Sequence, residues 1–313
     1  MLQFCFIIKA LNQGVKLFKQ GVKNIIRKAG FELKLNRISP TEYTDKGIVF
    51  VHIAKCGGIS IDTALRSVFA SPGQPRINRN AAINTSLKNF TQDCESPENS
   101  ARFGDLHSHT IQMLVNYHLE LNWSYISGHT AVTSELLAKY ANKNNFVTVL
   151  REPIARFISH YIYTKLTNEL PIMLPNKFNT DNLIQEAKGI LNSRRGWHMI
   201  NTPTMCLTGQ FPKDVEHAKQ VQSTVANNLK HFSAVGFLDE LPQFVEQIKQ
   251  VTNKDIVIPR KNVTNKIVSE EKAKVEETLR NFFDDKATKL QLNTLAKYEI
   301  ENYAKAKEQY SKL

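Results

Sequence analysis

Four short apolar runs, each followed by a stretch with helical spacing, set the pattern of hydrophobic and polar positions in this chain. Their β-branched and aromatic residues are typical of buried strands. The runs lie at residues 48–53, 124–128, 146–150 and 234–238. Strands that alternate with helices form parallel sheets, so the pattern predicts an α/β fold with a mainly parallel central sheet and helices on both faces. Ligands of such folds bind at the carboxyl ends of the strands.

Two other stretches complete this pattern. Residues 71–104 are rich in Asn, Ser, Pro and Gln, which predicts a long loop between the first helix and the second strand. From Ser269 onward the spacing is helical, which predicts a helical tail.

The N-terminal part of the chain has a pattern of its own. From residue 9, apolar positions interleave with Lys and Arg at helical intervals until Gly30, which predicts a basic amphipathic helix. Such a helix either contacts an anionic membrane through residues 9–30 or packs on the remaining protein with its lysines in solvent. We therefore divide the chain into an N-terminal helical segment, 1–40, and one domain, 47–313.

The segment GIVFVHIAKCGGISIDTALRSVFA, residues 47–70, carries the clearest chemical signal. Lys55, Gly57 and Gly58 interrupt the apolar run just before the helical spacing begins. Glycines let the backbone approach a ligand closely, and the N–H groups and dipole of a helix start favour a bound phosphate or sulfate. The lysine precedes the glycines, so the ATP motif GxxxxGK[ST] is absent.

A second segment, NFVTVLREPIARFISHYIYTKL, again runs from an apolar strand into a helix. Arg151 at the strand end offers a bidentate fork to a phosphate, and Ser159 offers a hydroxyl about two turns later. The alternative is that Arg151 pairs with Glu152 or another carboxylate and that Ser159 has no ligand. Two phosphate-type motifs at strand ends favour the ligand-binding interpretation.

Together the two segments resemble motifs of sulfotransferases that use 3′-phosphoadenosine 5′-phosphosulfate (PAPS). HIAKCGGIS resembles their 5′-phosphosulfate loop, HIPKTGGTS, and LREPIARFISHY resembles their 3′-phosphate motif, LRDPxxRFxSxY. The likeness is to carbohydrate-type enzymes, such as the heparan sulfate 2-O- and 6-O-sulfotransferases and bacterial glycan sulfotransferases, and extends diffusely over residues 47–310. It implies a three-layer P-loop-like fold and transfer of a sulfuryl group to an acceptor hydroxyl, with a carbohydrate as the expected acceptor.

The resemblance also implies roles for individual residues. Lys55 would stabilise the charge on the departing 5′-phosphate, and Arg151 and Ser159 would bind the 3′-phosphate. The predicted loop contacts of the co-substrate are Lys55, Cys56, Gly57, Gly58, Ile59 and Ser60. Ile59 and Cys56 replace hydroxyl residues of the family pattern, which costs on the order of 1 kcal/mol per lost hydrogen bond. We also expect the lysine and the helix start to lower the Cys56 thiol pKa.

The attacking hydroxyl needs a base, which histidine supplies most easily near neutral pH. His129 follows Gly128, where several relatives of this type carry their catalytic histidine, and is the predicted base. His107 and His109, in DLHSHT, are reserve candidates that a loop could bring to the acceptor. They lack a third metal ligand, and the family needs no metal, so we predict none. We expect His52, within the first strand, to be a packed core residue.

Composition adds context without deciding the function. The net charge is +12, from 41 Lys and Arg against 29 Asp and Glu, which suits a polyanionic nucleotide and an acidic glycan but also nucleic acid or an anionic membrane. Cysteines stand far apart, at Cys5, Cys56, Cys94 and Cys206, so neither a zinc site nor a disulfide framework is predicted and the thiols should be reduced.

The start of the chain bears on location. Its apolar run MLQFCFIIKAL is broken by Lys9, is far shorter than the roughly 20 residues of a membrane span, and lacks a signal cleavage site. The prediction is therefore a cytoplasmic protein without a signal peptide or transmembrane span, whose N-terminal helix could bind the inner membrane face.

Two other functions remain as alternatives at this stage. A kinase-like nucleotide-dependent phosphotransferase would use a similar loop but would need a Lys-Ser/Thr pair and an acidic metal ligand, neither of which is evident near Lys55. A non-enzymatic protein that binds nucleic acid or membrane would explain the charge but leaves both motifs unexplained. We therefore expect no nucleic-acid partner.

Overall fold

The computed structural model describes residues 46–93, 96–167, 180–259 and 269–311. Four strands form one all-parallel sheet in the order β2-β1-β3-β4. They are β1 (Gly47–Val51), β2 (Tyr125–Gly128), β3 (Asn144–Leu150) and β4 (Phe232–Phe237). The predicted α/β fold with a parallel sheet flanked by helices is confirmed, and each predicted strand is present with slightly shifted ends.

Helices follow every strand and account for most of the described chain. In chain order they are α1 (Gly58–Phe69), α2 (Arg79–Lys88), α3 (Pro97–Glu120), α4 (Ser134–Tyr140), α5 (Pro153–Thr167), α6 (Thr180–Leu191), α7 (Arg194–Ile200), α8 (Thr202–Thr208), α9 (Val215–Gln220), α10 (Gln222–Leu229), α11 (Leu241–Thr252), α12 (Glu270–Asp284), α13 (Lys286–Leu295) and α14 (Lys297–Tyr310). The last three confirm the predicted helical tail, and the Ser269 side chain caps the first of them.

The sheet is buried on both faces, which explains why its strands are almost continuously apolar. Val49 and Val51 point to one face, where they join a core cluster with Leu136 of α4. Ile48 and Phe50 point to the other face, where α1 and α11 cover them. This alternation along β1 gives the sheet a helical layer on each side and brings the carboxyl ends of all four strands to one edge.

The predicted long loop at residues 71–104 is wrong in large part. The Asn78 side chain accepts a hydrogen bond from Ala81 N at the start of α2, and Ser96 accepts one from Asn99 N at the start of α3. Asn and Ser are preferred helix caps as well as loop residues. Their abundance in this stretch therefore marks helix starts, and α2 packs against α3.

Some predictions concern other parts of the chain. The amphipathic helix, and the domain boundary after residue 40, lie outside the described residues and stay predictions. Where the structure is described, none of the helices combines the length and the apolar composition that crossing a membrane requires.

Candidate functional site

The loop between β1 and α1 is tightly wound against the histidine that precedes it. Lys55 and Gly57 have positive φ angles, 68° and 74°. A Cβ atom added to Gly58 would lie 1.6 Å from Nε2 of His52, so only glycine fits at that position. The glycine pair therefore allows the backbone to turn into α1 directly over His52.

The start of α1 has the properties of an anion site. Gly57 is its N-cap residue and has no side chain that could accept from the first-turn N–H groups, and the first turn contains no acidic residue. Ile59 is 57% exposed, and Ser60 is half-buried beside it. The N–H groups and the positive end of the helix dipole are thus available to a phosphate or sulfate.

The two predicted phosphate motifs meet in the fold, although they lie 96 residues apart in sequence. β1 and β3 are neighbours in the sheet, so their following loops are adjacent. Arg151 Nη1 donates to the backbone carbonyl of Lys55 at 3.2 Å. The ammonium of Lys55 lies 3.8 Å from the centroid of the Tyr163 ring, on α5. The guanidinium has further N–H donors beyond the one that fixes the loop.

Glu152 has a role other than neutralising Arg151. Its carboxylate accepts from Ile154 N at 3.0 Å and from Ala155 N at 2.6 Å, which caps the start of α5. The alternative interpretation of an Arg151–Glu152 pair therefore gains no support. Ser159 lies half-buried on the same helix, about two turns beyond Arg151.

The second arginine of the same motif supports the scaffold. Arg156 is fully buried, and its Nη2 donates to the backbone carbonyls of Met199 and Ile200 at 2.5 Å and 3.0 Å. Those carbonyls lie at the carboxyl end of α7, just before α8. Arg156 therefore fixes α5, which carries Ser159, against the neighbouring helices.

A cavity of about 230 Å³ opens beside the loop. Its near wall contains His52 and Ala54, which lead from β1 into the loop, and its far wall is formed by α2 and α3. Four histidines face it: His52, His107, His129 and His160. Arg79 and Arg195 also line it, so the cavity combines neutral proton acceptors with positive charge.

His129, the predicted base, follows β2 at the cavity wall, and its ring stacks on the ring of His52 with centroids 4.6 Å apart. His129 is exposed, yet desolvation by the protein around it, with smaller contributions from His52 and Arg79, lowers its pKa to about 3. Burial also lowers the pKa of His52 to about 4. Both rings are therefore neutral at physiological pH. His52 is half-buried in the cavity wall, so its predicted core position is wrong.

The structure distinguishes the two reserve candidates for the base, His107 and His109. Both lie on α3 rather than on a loop, and residues two apart on a helix point in nearly opposite directions. His107 lines the cavity, with Nδ1 2.9 Å from Ser86 Oγ, and burial lowers its pKa to about 4. His109 is exposed on the outer face. Only His107 remains as a reserve candidate.

The expected lowering of the Cys56 pKa is wrong. Cys56 lies in the core beneath the loop, and burial raises the pKa of its thiol to about 12, although Arg156 and Arg151 oppose this shift. The neutral thiol is therefore unreactive and does not contact the ligand side of the loop. Cys206 is likewise a buried, unbridged thiol, whereas Cys5 and Cys94 lie outside the described residues.

Two residues at the site have no counterpart in the sequence interpretation. Tyr163 contacts the loop lysine, and His160 lines the cavity next to Ser159. Both occupy helix α5, one and four residues after Ser159. Once the motif is placed on a helix, this spacing is the signal that could have found them.

The comparison with known families agrees with this geometry. The model of the sulfotransferase family matches residues 43–304, which is most of the chain. The chain belongs to the sulfotransferase family. A search of curated proteins gave no significant match. The match contains both phosphate motifs, all four strands and every cavity residue named above.

Membership of the sulfotransferase family implies PAPS as the sulfate donor, and the loop fits such a group. Its uncapped helix start, Lys55 and the neighbouring Arg151 offer donors to the anionic ends of the nucleotide. The contact of Gly58 with His52 leaves the loop no room for a side chain there. The donors of this loop therefore fit an anionic ligand, and they lie at the strand edge where such folds bind ligands.

Proposed function

We propose that this sulfotransferase moves a sulfuryl group from PAPS to a hydroxyl of a carbohydrate acceptor by in-line attack, with His129 as the base. The observation that carries the proposal is the shared wall between two sites. His52 and Ala54 line the cavity, and the next residue along the chain is Lys55 of the anion loop. Donor and acceptor can therefore meet at this boundary.

The donor side is built from the two motifs. Lys55 and the first-turn N–H groups of α1, from Gly58 to Ser60, hold the 5′-phosphate end. Arg151 and Ser159 hold the 3′-phosphate. PAPS, when bound, supplies the sulfuryl group and a phosphate leaving group. Lys55 stabilises the negative charge that grows on the leaving oxygen, and such a preorganised donor contributes several kcal/mol to catalysis.

On the acceptor side, His129 receives the proton of the attacking hydroxyl. Its ring stacks on the ring of His52, with the centroids 4.6 Å apart, which restricts its orientation. A neutral imidazole carries a proton on one nitrogen, and its other nitrogen is available as a proton acceptor. The lowered pKa keeps the ring in this form throughout the working pH range.

The cavity also supports a carbohydrate as acceptor. Phe103 and Phe211 give it apolar walls, while His107 and Arg79 contribute polar groups that can meet the hydroxyls of a sugar. Small-molecule sites commonly combine apolar walls with a few placed polar groups. The volume of about 230 Å³ suits one sugar unit with the rest of a chain outside.

Binding and transfer measurements on the full chain test this function. We expect 3′-phosphoadenosine 5′-phosphate (PAP) to bind far more tightly than ATP or duplex DNA in calorimetry. Radiolabelled PAPS should transfer its sulfur to at least one member of a panel of neutral and acidic oligosaccharides. Preference for ATP would favour the phosphotransferase alternative, and preference for DNA the non-enzymatic one. Transfer only to non-carbohydrate hydroxyls would overturn the carbohydrate assignment.

A further inference from the structure

His160 lies next to Ser159 on α5 and lines the cavity, yet the chemistry above gives it no part. Its Nδ1 is completely buried and has no hydrogen-bonding partner in the described part of the chain. The side chain as a whole is only half-buried. Nε2 is therefore the ring nitrogen at the cavity surface.

The position of the ring proton follows from this burial. Burial lowers the pKa of His160 well below its ordinary value, and the charges of Arg156 and Arg195 lower it further. The ring is consequently neutral and carries one proton. Nδ1 has no partner in either tautomer, and a buried N–H without an acceptor is the rarer of the two cases in folded proteins. The tautomer with the proton on Nε2 is therefore favoured, and from Nε2 the ring can donate a hydrogen bond into the cavity.

The position of His160 on α5 relates it to both sides of the site. Tyr163, three residues later on the same face of the helix, contacts the ammonium of Lys55 on the donor side. His129, on the acceptor side, lines the same cavity as His160. His160 therefore lies at the boundary that a group crosses when it passes from donor to acceptor.

We propose, resting on the function proposed above, that His160 donates a hydrogen bond from Nε2 to an oxygen of the sulfuryl group during its transfer. The acceptor oxygen forms a bond to sulfur, and its proton passes to His129. The bond between sulfur and the 5′-phosphate oxygen breaks, and the electron pair stays on that oxygen beside Lys55. The proton of His160 remains on Nε2 throughout.

The test uses PAP with and without orthovanadate, an oxyanion that adopts the five-coordinate geometry of a group in transfer. We expect orthovanadate to tighten PAP binding to the wild-type chain. A hydrogen bond to a charged group corresponds to about 10- to 100-fold in affinity, so His160→Phe should lose about that much of the tightening. Its affinity for PAP alone should change less than about twofold.

Two further variants separate a direct contact from a structural role. His160→Gln keeps an N–H donor of similar reach and should retain part of the orthovanadate effect. His109→Phe, on the exposed face of α3, should behave as the wild type. His160→Phe also replaces a buried nitrogen that lacks a partner by a carbon, so its melting temperature should not fall.

Different results would contradict the role of His160 and the proposed function. Wild-type tightening in His160→Phe, or a wild type that binds PAP but gains nothing from orthovanadate, would overturn the role of His160. Weaker binding of PAP alone to His160→Phe would assign His160 to the nucleotide instead, which would also overturn the role. A wild type that does not bind PAP would overturn the proposed function itself.

Discussion

The ammonium of Lys55 lies over the ring of Tyr163, 3.8 Å from its centroid. This contact joins the loop after β1 to α5, the helix that also carries Ser159 and His160. A cation over a tyrosine ring is stabilised by roughly 0.5–2 kcal/mol. Tyr163 therefore restricts a long, flexible side chain to one region of the site before the donor binds.

Removal of the ring should make Lys55 less well placed. We expect Tyr163→Leu to lower the single-turnover rate by about 2- to 30-fold, which corresponds to loss of the cation–π contact. Tyr163→Phe should stay within about twofold of the wild type because it keeps the aromatic face. Rapid-quench measurement of sulfur transfer at saturating PAPS gives these rates. Equal losses in both variants would assign the effect to the hydroxyl group.

Lys55 itself should be essential to transfer. Loss of a single preorganised charge donor lowers turnover by about 100- to 1,000-fold, and we expect at least that loss for Lys55→Ala. The fold should survive, since the side chain lies outside the core, and a melting curve checks this. Lys46→Ala, at an exposed position just before β1, is the matched control. Normal turnover of the Lys55 variant would contradict the assignment of the loop.

Arg151 and Ser159 should set the selectivity for the 3′-phosphate. The wild type should bind PAP more tightly than AMP, which lacks that phosphate. In the double variant Arg151→Ala, Ser159→Ala the ratio of the two dissociation constants should fall by about 10- to 100-fold. Arg280→Ala, an exposed arginine on α12, should leave the ratio unchanged. An unaltered ratio in the double variant would make both residues structural.

His129→Gln tests the base. General-base catalysis contributes about 100- to 10,000-fold, so the single-turnover rate should fall at least 100-fold while PAP affinity stays within about twofold. His109→Gln should keep the full rate because it points away from the cavity. If His107→Gln alone lost the chemical step, the base would be His107. If His129→Gln chiefly lowered the melting temperature and kept its rate, His129 would be a structural residue.

The pH dependence follows from the lowered pKa of His129. A base works in its deprotonated form, so the rate falls when the pH drops below its pKa. An ordinary histidine pKa of 6.5 would cost about tenfold in kcat/KM by pH 5.5. Because the pKa of His129 is about 3, we expect kcat/KM to change little between pH 8 and pH 5. The PAP dissociation constant, measured at each pH, shows whether protonation of the nucleotide contributes to any change. A fall in kcat/KM with a midpoint near pH 6.5 would contradict the prediction.

The meeting of the two motifs at the strand ends could be predicted from sequence because its determinants are local. Apolar runs that end in Lys55 or Arg151 identify both a strand and the edge where it ends. Parallel topology then brings the two ends together, as the hydrogen bond from Arg151 to the Lys55 carbonyl demonstrates. Neighbouring strands thus convert two separate motifs into one site.

The other properties of the site depend on which side chains are buried and on which face of a helix they lie, and the order of residues along the chain does not reveal either. Next to a lysine and a helix start, Cys56 has the sequence context of a reactive thiol, but its side chain points into the core and its pKa rises. Treating DLHSHT as a loop made His107 and His109 equivalent, whereas α3 separates them. His160 lacks a fixed place in the family motif, so only its spacing on α5 and its position in the cavity identify it.

The far wall of the cavity comes from a different stretch of chain than the donor loop. α2 and α3, between α1 and β2, carry Arg79, Phe103 and His107, whereas Lys55, Arg151 and Ser159 belong to the segments after β1 and β3. Under the proposed function, acceptor binding and donor binding therefore depend largely on different segments of the chain. Exchange of residues 79–120 between related enzymes would then be a route to new acceptors with an unchanged sulfate donor.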